Sequence, residues 1–316
     1  MGGYSSEVNI SLKSGGVVYK NLDREKYNSR NAHILKEKWI VVDDNDAEYP
    51  IDKNDFSFTY GGAKITFDCV FNAIHGAPGE NGELLAYFQL IGIKHTSAPF
   101  YQMALTFNKR DCLSVVKHYG IPVAASVYLN KGDVIHTDKI IAKVGLPCFI
   151  KPNNAGSSFG ISKAYSAEEI IVGIEKAYKE DAEILIESFL DGREVSVGVI
   201  QYKGEIKVLP ITEIKTENDF FDYQAKYEGK SQEITPADLP EGVAKKIRKV
   251  AQKVYQVLNM SGFSRSEYIL VDGEPHFLEM NTVPGLTNES LLPQQAKEAN
   301  ISLPDLFGNA IESCFV

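Results

Sequence analysis

Two short apolar runs either side of Asp272-Gly273 constrain this chain more than any other feature. Asp-Gly between β-prone runs is a strong hairpin signal. With a three-residue loop of Asp272, Gly273 and Glu274, Val271 pairs with Pro275, Glu267 with Glu279 and Arg265 with Asn281. Side chains alternate along a strand, so these four stand on one face. Like charges directly opposite destabilise a sheet. A cation between the carboxylates turns that cost into a site, because Glu and Asn oxygens are ligands that hard Mg²⁺ prefers. The competing reading is a two-residue turn, which separates the carboxylates and leaves a solvated charged face.

At 316 residues the chain is long enough for two or three domains. A net charge of −9 argues against nucleic acid as a partner, since phosphate backbones need a basic surface. A local basic pocket for a nucleotide is compatible with it. Cys69, Cys112, Cys148 and Cys314 lie far apart in apolar stretches, with no CxxC, and read as buried reduced thiols. There is no eighteen-residue apolar run and no basic-then-apolar leader, so the expectation is a cytoplasmic protein with no membrane partner.

Strand-like and helix-like segments alternate, which indicates α/β layering with α+β elements. Val70 to Ile74 reads as a buried strand entering the glycine-rich loop His75-Gly76-Ala-Pro-Gly79-Glu80-Asn-Gly82, and Glu83 to Ile91 as a helix. Lys109 to Tyr119 is a helix stopped by Gly120 and Pro122. Ser166 and Glu169 form a capping box. Glu194 to Gln201 alternates, with Val195, Val197 and Val199 on one side, and Glu241 to Asn259 is the clearest amphipathic helix. Between them, Ile211 to Pro240 lacks periodicity, and its aromatics Phe220, Phe221, Tyr223 and Tyr227 point to a functional lid rather than disorder. Gly2 to Glu7 looks like a loop entering a helix with no strand ahead of it, so the supporting strand is expected upstream.

Cys148-Phe-Ile-Lys151 followed by Gly156-Ser157-Ser158-Phe159-Gly160 is a strand, a lysine and a Gly/Ser loop. Such a loop lets backbone N–H groups and hydroxyls approach phosphate, and the lysine adds a point charge. It is not the usual phosphate loop, because the lysine precedes the glycines. Alone, it also reads as a plain turn.

These segments, with Ile186-Glu187-Ser188-Phe189-Leu190-Asp-Gly192-Arg-Glu194 and Glu279-Met-Asn281-Thr-Val-Pro284-Gly285, follow the order found in ATP-grasp ligases. Adding Gly2-Gly3-Tyr-Ser-Ser-Glu7, His75-Gly76, Phe221-Asp-Tyr223-Gln-Ala-Lys226-Tyr227 and Pro284-Gly285-Leu-Thr287-Asn-Glu-Ser290-Leu291, nearly the whole chain resembles the D-alanine–D-alanine ligase family. The resemblance implies an ATP-grasp fold with an N-terminal open α/β domain over 1–96, a central ATP-grasp subdomain over 97–183 and a C-terminal one over 184–316. It implies ATP-dependent joining of two D-alanines through an acyl phosphate, for peptidoglycan precursors, by a homodimer.

The same resemblance implies the following roles. Lys109, Lys151 and Ser158 contact the nucleotide phosphates. Glu187 holds the adenine amino group, Phe189 and Leu190 the adenine edge, and Glu194 the ribose. Glu267, Glu279 and Asn281 hold two Mg²⁺ ions, with Mn²⁺ as an alternative. Glu7 pairs with the first ammonium, and His75 lies near that substrate's carboxyl end. Arg265 and the Gly285 N–H form the oxyanion hole. Ser290 and the Leu291 backbone grip the second carboxylate, and Lys226 serves both that carboxylate and the nucleotide side. Tyr227 links to Ser157 and Glu7 and closes the lid. Taken singly, His75 also reads as a loop cap, Lys109, Glu187 and Glu194 as surface charges, and the lid aromatics as packing.

The sequence departs from the family pattern in two places: Arg265-Ser-Glu267 stands where Arg-x-Asp is usual, and the first strand is missing. Three rival functions remain: a D-alanine–D-lactate ligase, which typically carries phenylalanine at the Tyr227 position, another small amino-acid ATP-grasp ligase, and an inactive nucleotide-binding regulator.

Overall fold

Apolar alternation builds three main sheets, and amphipathic helices cover them. The structure is a computed structural model describing residues 1–156, 159–216 and 231–316. The first sheet runs in the order β1 (Gly2–Gly3), β2 (Asn31–Leu35), β3 (Trp39–Val42), β4 (Glu48–Asp52), β5 (Ser57–Tyr60) and β6 (Ala63–Ile65). Only β1 and β2 are parallel in it; the rest is an antiparallel meander. The loop to Glu7 therefore does hang from a strand, Gly2–Gly3, which corrects the reading that no strand stands ahead of it.

A separate parallel pair joins β7 (Cys69–Val70) to β8 (Lys94–His95). The expected strand over Val70–Ile74 is thus mostly unpaired, although Ala73 and Ile74 are buried. Asn72 replaces the ladder there: its side chain accepts from the Ile74 N–H and donates to Gly79 O, turning the chain into the glycine-rich loop. The helix Glu83–Leu90 follows, burying Leu84, Leu85 and Phe88.

The second sheet is antiparallel: β9 (Ser126–Asn130), β10 (Cys148–Pro152), β11 (Ser162–Ala164) and β12 (Glu183–Ser188), in the order β11-β10-β12-β9. The helices Thr137–Val144 and Ala167–Ala177 close its core around Ile140, Ile150, Ile170, Ile174 and Ile184. Ser166 Oγ caps the second helix by accepting from the Glu169 N–H, while Glu169 reaches back to the Tyr165 N–H.

The third sheet holds β13 (Arg193–Tyr202), β14 (Glu205–Val208), β15 (Thr212–Thr216), β16 (Ser231–Ile234), β17 (Phe263–Val271) and β18 (Glu274–Asn281). Its order is β16-β15-β13-β17-β18, with β14 also on β13. Strand β13 is buried on both faces over 195–200, not on one as its alternation suggests. The helix Glu241–Val257 covers one face, and the helices Leu291–Glu298 and Leu303–Glu312 pack against β13 from elsewhere. Full burial of Ile247 and Val254 contributes roughly 1.5–3 kcal/mol each. The segment read as structureless holds β15 and β16 at its ends; residues 217–230, with the lid aromatics, lie outside the described residues. Cys112 and Cys148 are buried as expected, but Cys69 and Cys314 are only half-buried; all four are free.

Candidate active site

The β17–β18 hairpin brings its two carboxylates together, by a different route from the one expected. The loop is two residues, Asp272 and Gly273, with φ of 51° and 76°, and Val271 pairs with Glu274. An unbroken ladder from there would set Leu278 against Glu267. A β-bulge instead skips Leu278, restoring Glu267 opposite Glu279 and Arg265 opposite Asn281. Each carboxylate has a cation. Arg265 pairs with Glu267 and donates to Ser196 Oγ at 3.0 Å, and Lys109 Nζ lies 3.4 Å from Glu279 Oε2. Burial works against the Arg265 charge, but Glu267, then Glu279 and Glu233, hold its pKa above the ordinary value. Asn281 is left with a buried amide nitrogen lacking a hydrogen-bond partner.

Beside the hairpin is a cavity of about 500 Å³ between the second and third sheets, lined by Phe149, Lys151, Glu187, Phe189, Leu190, Glu194, Glu267, Leu278 and Glu279. Glu187 sits opposite Phe149 in the β10–β12 ladder, on the face that Lys151 shares. Lys151 Nζ is 2.7 Å from Glu187 Oε2. Burial opposes the lysine charge; Glu187, then Glu279 and Glu194, outweigh it and raise its pKa. The other Glu187 oxygen, Oε1, is buried without a partner, an acceptor facing a site that can supply a donor. Lys163 Nζ stands 4.2 Å from the Phe189 ring centroid, and the Phe149 ring packs against Phe189 with centroids 6.3 Å apart.

The N-terminal loop packs against the Gly/Ser loop. The Glu7 carboxylate lies so close to Gly156 that a Cβ there would come within 2.8 Å of Oε2, and it also approaches Gly76. The glycine of the Gly/Ser loop is therefore required by close approach. Lys109 Nζ donates to Ala155 O in the same loop at 2.6 Å. His75 is buried with Nε2 3.2 Å from Ser14 Oγ. Burial, then the Arg265 charge, pushes its pKa down to about 4, so the imidazole is neutral near pH 7. Glu80, to which the sequence assigned no role, accepts from the Gly76 N–H at 3.0 Å. Burial, then Glu7, raises its pKa to about 7.

Past the hairpin, a Cβ on Gly285 would meet Ser290 Oγ at 2.6 Å. Ser290 precedes the helix Leu291–Glu298, but its hydroxyl makes no capping bond and instead lies 2.8 Å from Thr287 Oγ1. The N–H groups of that first turn and the helix dipole favour an anion there.

The structure thus gathers Lys151, Glu187, Phe189, Leu190, Glu194, Glu267 and Glu279 around the cavity, with Lys109 paired to Glu279, Arg265 paired to Glu267 and Asn281 opposite Arg265; Glu7 and His75 stand in the N-terminal and glycine-rich loops, and Gly285, Ser290 and Leu291 follow the hairpin. Ser157, Ser158, Lys226 and Tyr227 lie outside the described residues. Besides Glu80, sequence reasoning missed the ion pair of Arg193 with buried Glu213, bonded at 2.7 and 2.9 Å, which lines the cavity. The alternating charges Glu213 and Lys215 on β15 were its visible trace.

The chain matches the family models described as D-ala D-ala ligase N-terminus over residues 1–98 and D-ala D-ala ligase C-terminus over 115–312. It is 69% identical to a D-alanine–D-alanine ligase of Flavobacterium johnsoniae, over 99% of this chain and 97% of that one. A D-alanine–D-alanine ligase of Christiangramia forsetii is 57% identical, over 99% and 96%. Among solved structures, the VanG D-Ala:D-Ser ligase from Enterococcus faecalis superposes with a TM-score of 0.88 at 29% identity, covering 99% and 97% of the two chains. The D-alanine–D-alanine ligase from Bacillus anthracis complexed with ATP gives 0.80 at 25%, covering 100% and 95%. On this evidence the chain, with its ATP-grasp fold, belongs to the D-alanine–D-alanine ligase family.

Proposed function

We propose that the protein joins two D-alanines into D-alanyl-D-alanine, consuming ATP and releasing ADP and phosphate, for peptidoglycan precursor synthesis. The observation that carries this reading is the convergence, at one cavity, of Lys109 and Lys151 with the facing Glu267–Glu279 pair. Phosphoryl transfer needs positioning and charge neutralisation more than covalent help, and these groups supply both.

Glu187, through its unpartnered oxygen, accepts from the adenine amino group, Phe189 and Leu190 line the base, and Glu194 takes the ribose. Lys109, Lys151 and Ser158 bind phosphate oxygens, Lys151 exchanging part of its pairing with Glu187 for them. Glu267, Glu279 and Asn281 would hold Mg²⁺: the donor set is all hard oxygen once the Asn281 amide presents its oxygen, and the carboxylates face each other across the ladder. Bound there, Mg²⁺ supplies charge neutralisation to the phosphates.

Glu7 orients the first D-alanine by its ammonium, and neutral His75 lies by its carboxyl end. That carboxylate attacks the terminal phosphorus of ATP, giving an acyl phosphate and ADP. The amine of the second D-alanine adds to the acyl carbon, and Arg265 and the Gly285 N–H bind the oxyanion. Phosphate then leaves. Ser290, the Leu291 N–H and Lys226 hold the second carboxylate, and Tyr227, with Ser157 and Glu7, closes the lid against water.

The same reading divides the chain at 1–96, 97–183 and 184–316, makes it a homodimer and places it in the cytoplasm. No described helix is long and apolar enough to cross a membrane. Incubation with ATP, Mg²⁺ and D-alanine should give dipeptide, ADP and phosphate in equal amounts by mass spectrometry. ATP consumption without dipeptide, or ester product from added D-lactate in preference to dipeptide, overturns it.

A further inference from the structure

Gln295 has no role in the chemistry above, yet its side chain is fully buried. A buried carboxamide is costly unless its donors and acceptor are paired, and here they are. Oε1 accepts from the Gly198 N–H at 2.9 Å, and Nε2 donates to Ser196 O at 2.9 Å and to Thr212 Oγ1 at 3.0 Å.

The first two bonds occupy backbone groups of β13, Ser196 O and the Gly198 N–H, that a neighbouring strand would otherwise pair. They fall where β13 changes partner: β15 pairs with it up to Ser196, and β14 begins opposite Val199. The Gln295 amide fills that break in the ladder. Gly198 is shaped to it, since a Cβ there would come within 2.6 Å of Gln295 Oε1 and 2.7 Å of Leu292 Cδ1.

On its other edge the same stretch of β13 carries the chemistry. Ser196 pairs across with Glu267 and Gly198 with Arg265, and Ser196 Oγ accepts from Arg265. Gln295 also lies one helical turn after Leu291, on the helix that begins at Ser290. One buried amide therefore ties the helix start to the backbone behind Arg265 and Glu267.

We propose that Gln295 is a positioning residue that sets the distance between the Ser290–Leu291 helix start, which grips the second D-alanine, and Arg265, which receives the oxyanion. The inference rests on the proposed ligase reaction. Its signature is selective: losing the amide frees the helix start that grips the second amino acid, whereas the phosphate and adenine contacts of Lys151 and Glu187 stand on β10 and β12.

Steady-state kinetics in D-alanine and ATP separate the two D-alanine KM values and that of ATP. Gln295→Met keeps the volume and leaves Ser196 O and the Gly198 N–H unpaired. It is expected to raise the second D-alanine KM by about tenfold. The first D-alanine KM and the ATP KM should stay within about twofold, because, among the described residues, Glu7, His75, Lys151 and Glu187 share no hydrogen-bond partner with Gln295. Gly198→Ala, which displaces the amide without altering residue 295, should give the same pattern. A purely structural role would lower the melting temperature and the active fraction, hence kcat, with all three KM values unmoved. That result, or an equal rise in all three, overturns the proposal. Should either variant fail to fold, Thr212→Val, which removes one of the three bonds, carries the test by the same criterion. A parent enzyme that makes no dipeptide strikes the ligase reading itself.

Discussion

Glu279 shows how residue-scale charge balance decides what a substitution does. It faces Glu267, which favours its removal, and it also pairs with Lys109, which opposes it. The two effects are similar in size, so Glu279→Gln should change stability by no more than about 1 kcal/mol in a thermal melt without Mg²⁺. Dipeptide formation should fall by about 10²–10³-fold, the scale of losing one electrostatic stabiliser. Near-normal turnover would remove the carboxylate pair from the mechanism. His75 and Glu80 give a second residue-scale prediction. The His75 pKa falls from 6.5 to about 4, so its contribution to stability is present above pH 6.5 and is lost as pH drops to 4. The Glu80 pKa rises from 4.5 to about 7, so its contribution is present below pH 4.5 and is lost as pH climbs to 7. Each is worth ~3 kcal/mol at most, and between pH 4.5 and 6.5 they oppose each other. Denaturant unfolding of the parent should vary little with pH in that window, whereas Glu80→Gln should gain stability steadily as pH rises through it. An equally flat profile in the variant contradicts the assignment. His75 was legible in the sequence because a histidine before a glycine marks a special loop. Glu80 was not, since an acid in a glycine-rich loop reads as solvent-facing until the fold half-buries it against the Gly76 N–H.

At the scale of elements, the hairpin was read with the right partners for the wrong reason. Alternation and Asp-Gly predict strands and a turn, but turn length and a bulge change the register by one residue each, in compensating senses. Neither leaves a clear mark in sequence. The skipped residue, Leu278, joins Glu279 in lining the cavity, and a straight ladder would not place two successive side chains there. Leu278→Ala should therefore raise the ATP KM by about tenfold, from the lost apolar contact, and leave the D-alanine KM values little changed. An unaltered ATP KM would mean that the bulge serves register alone. Helices were more legible than strands. The helix Glu241–Val257 shows its 3.6-residue stripe over seventeen residues, whereas β13 hides its two-sided burial behind a one-sided alternation. The β7 strand shrank because Asn72 satisfies by its side chain what a ladder would have satisfied.

Across the whole molecule, the order of motifs was readable and their meeting was not. Lys109 and Glu279 are 170 residues apart in sequence, and only packing of the helix Lys109–His118 near β18 brings them within 3.4 Å. Glu7 and Gly156 meet in the same way, from the first sheet to the loop after β10. Local patterns carry no term for such distances, which is why the family resemblance, not spacing, named the site. The central claim is that these parts activate the first D-alanine as an acyl phosphate. D-alanine labelled with ¹⁸O in its carboxyl group tests it most directly, by mass spectrometry of the phosphate released during dipeptide synthesis. The account predicts one ¹⁸O atom in each phosphate, carried over from the substrate carboxylate. Dipeptide formed with unlabelled phosphate would contradict it.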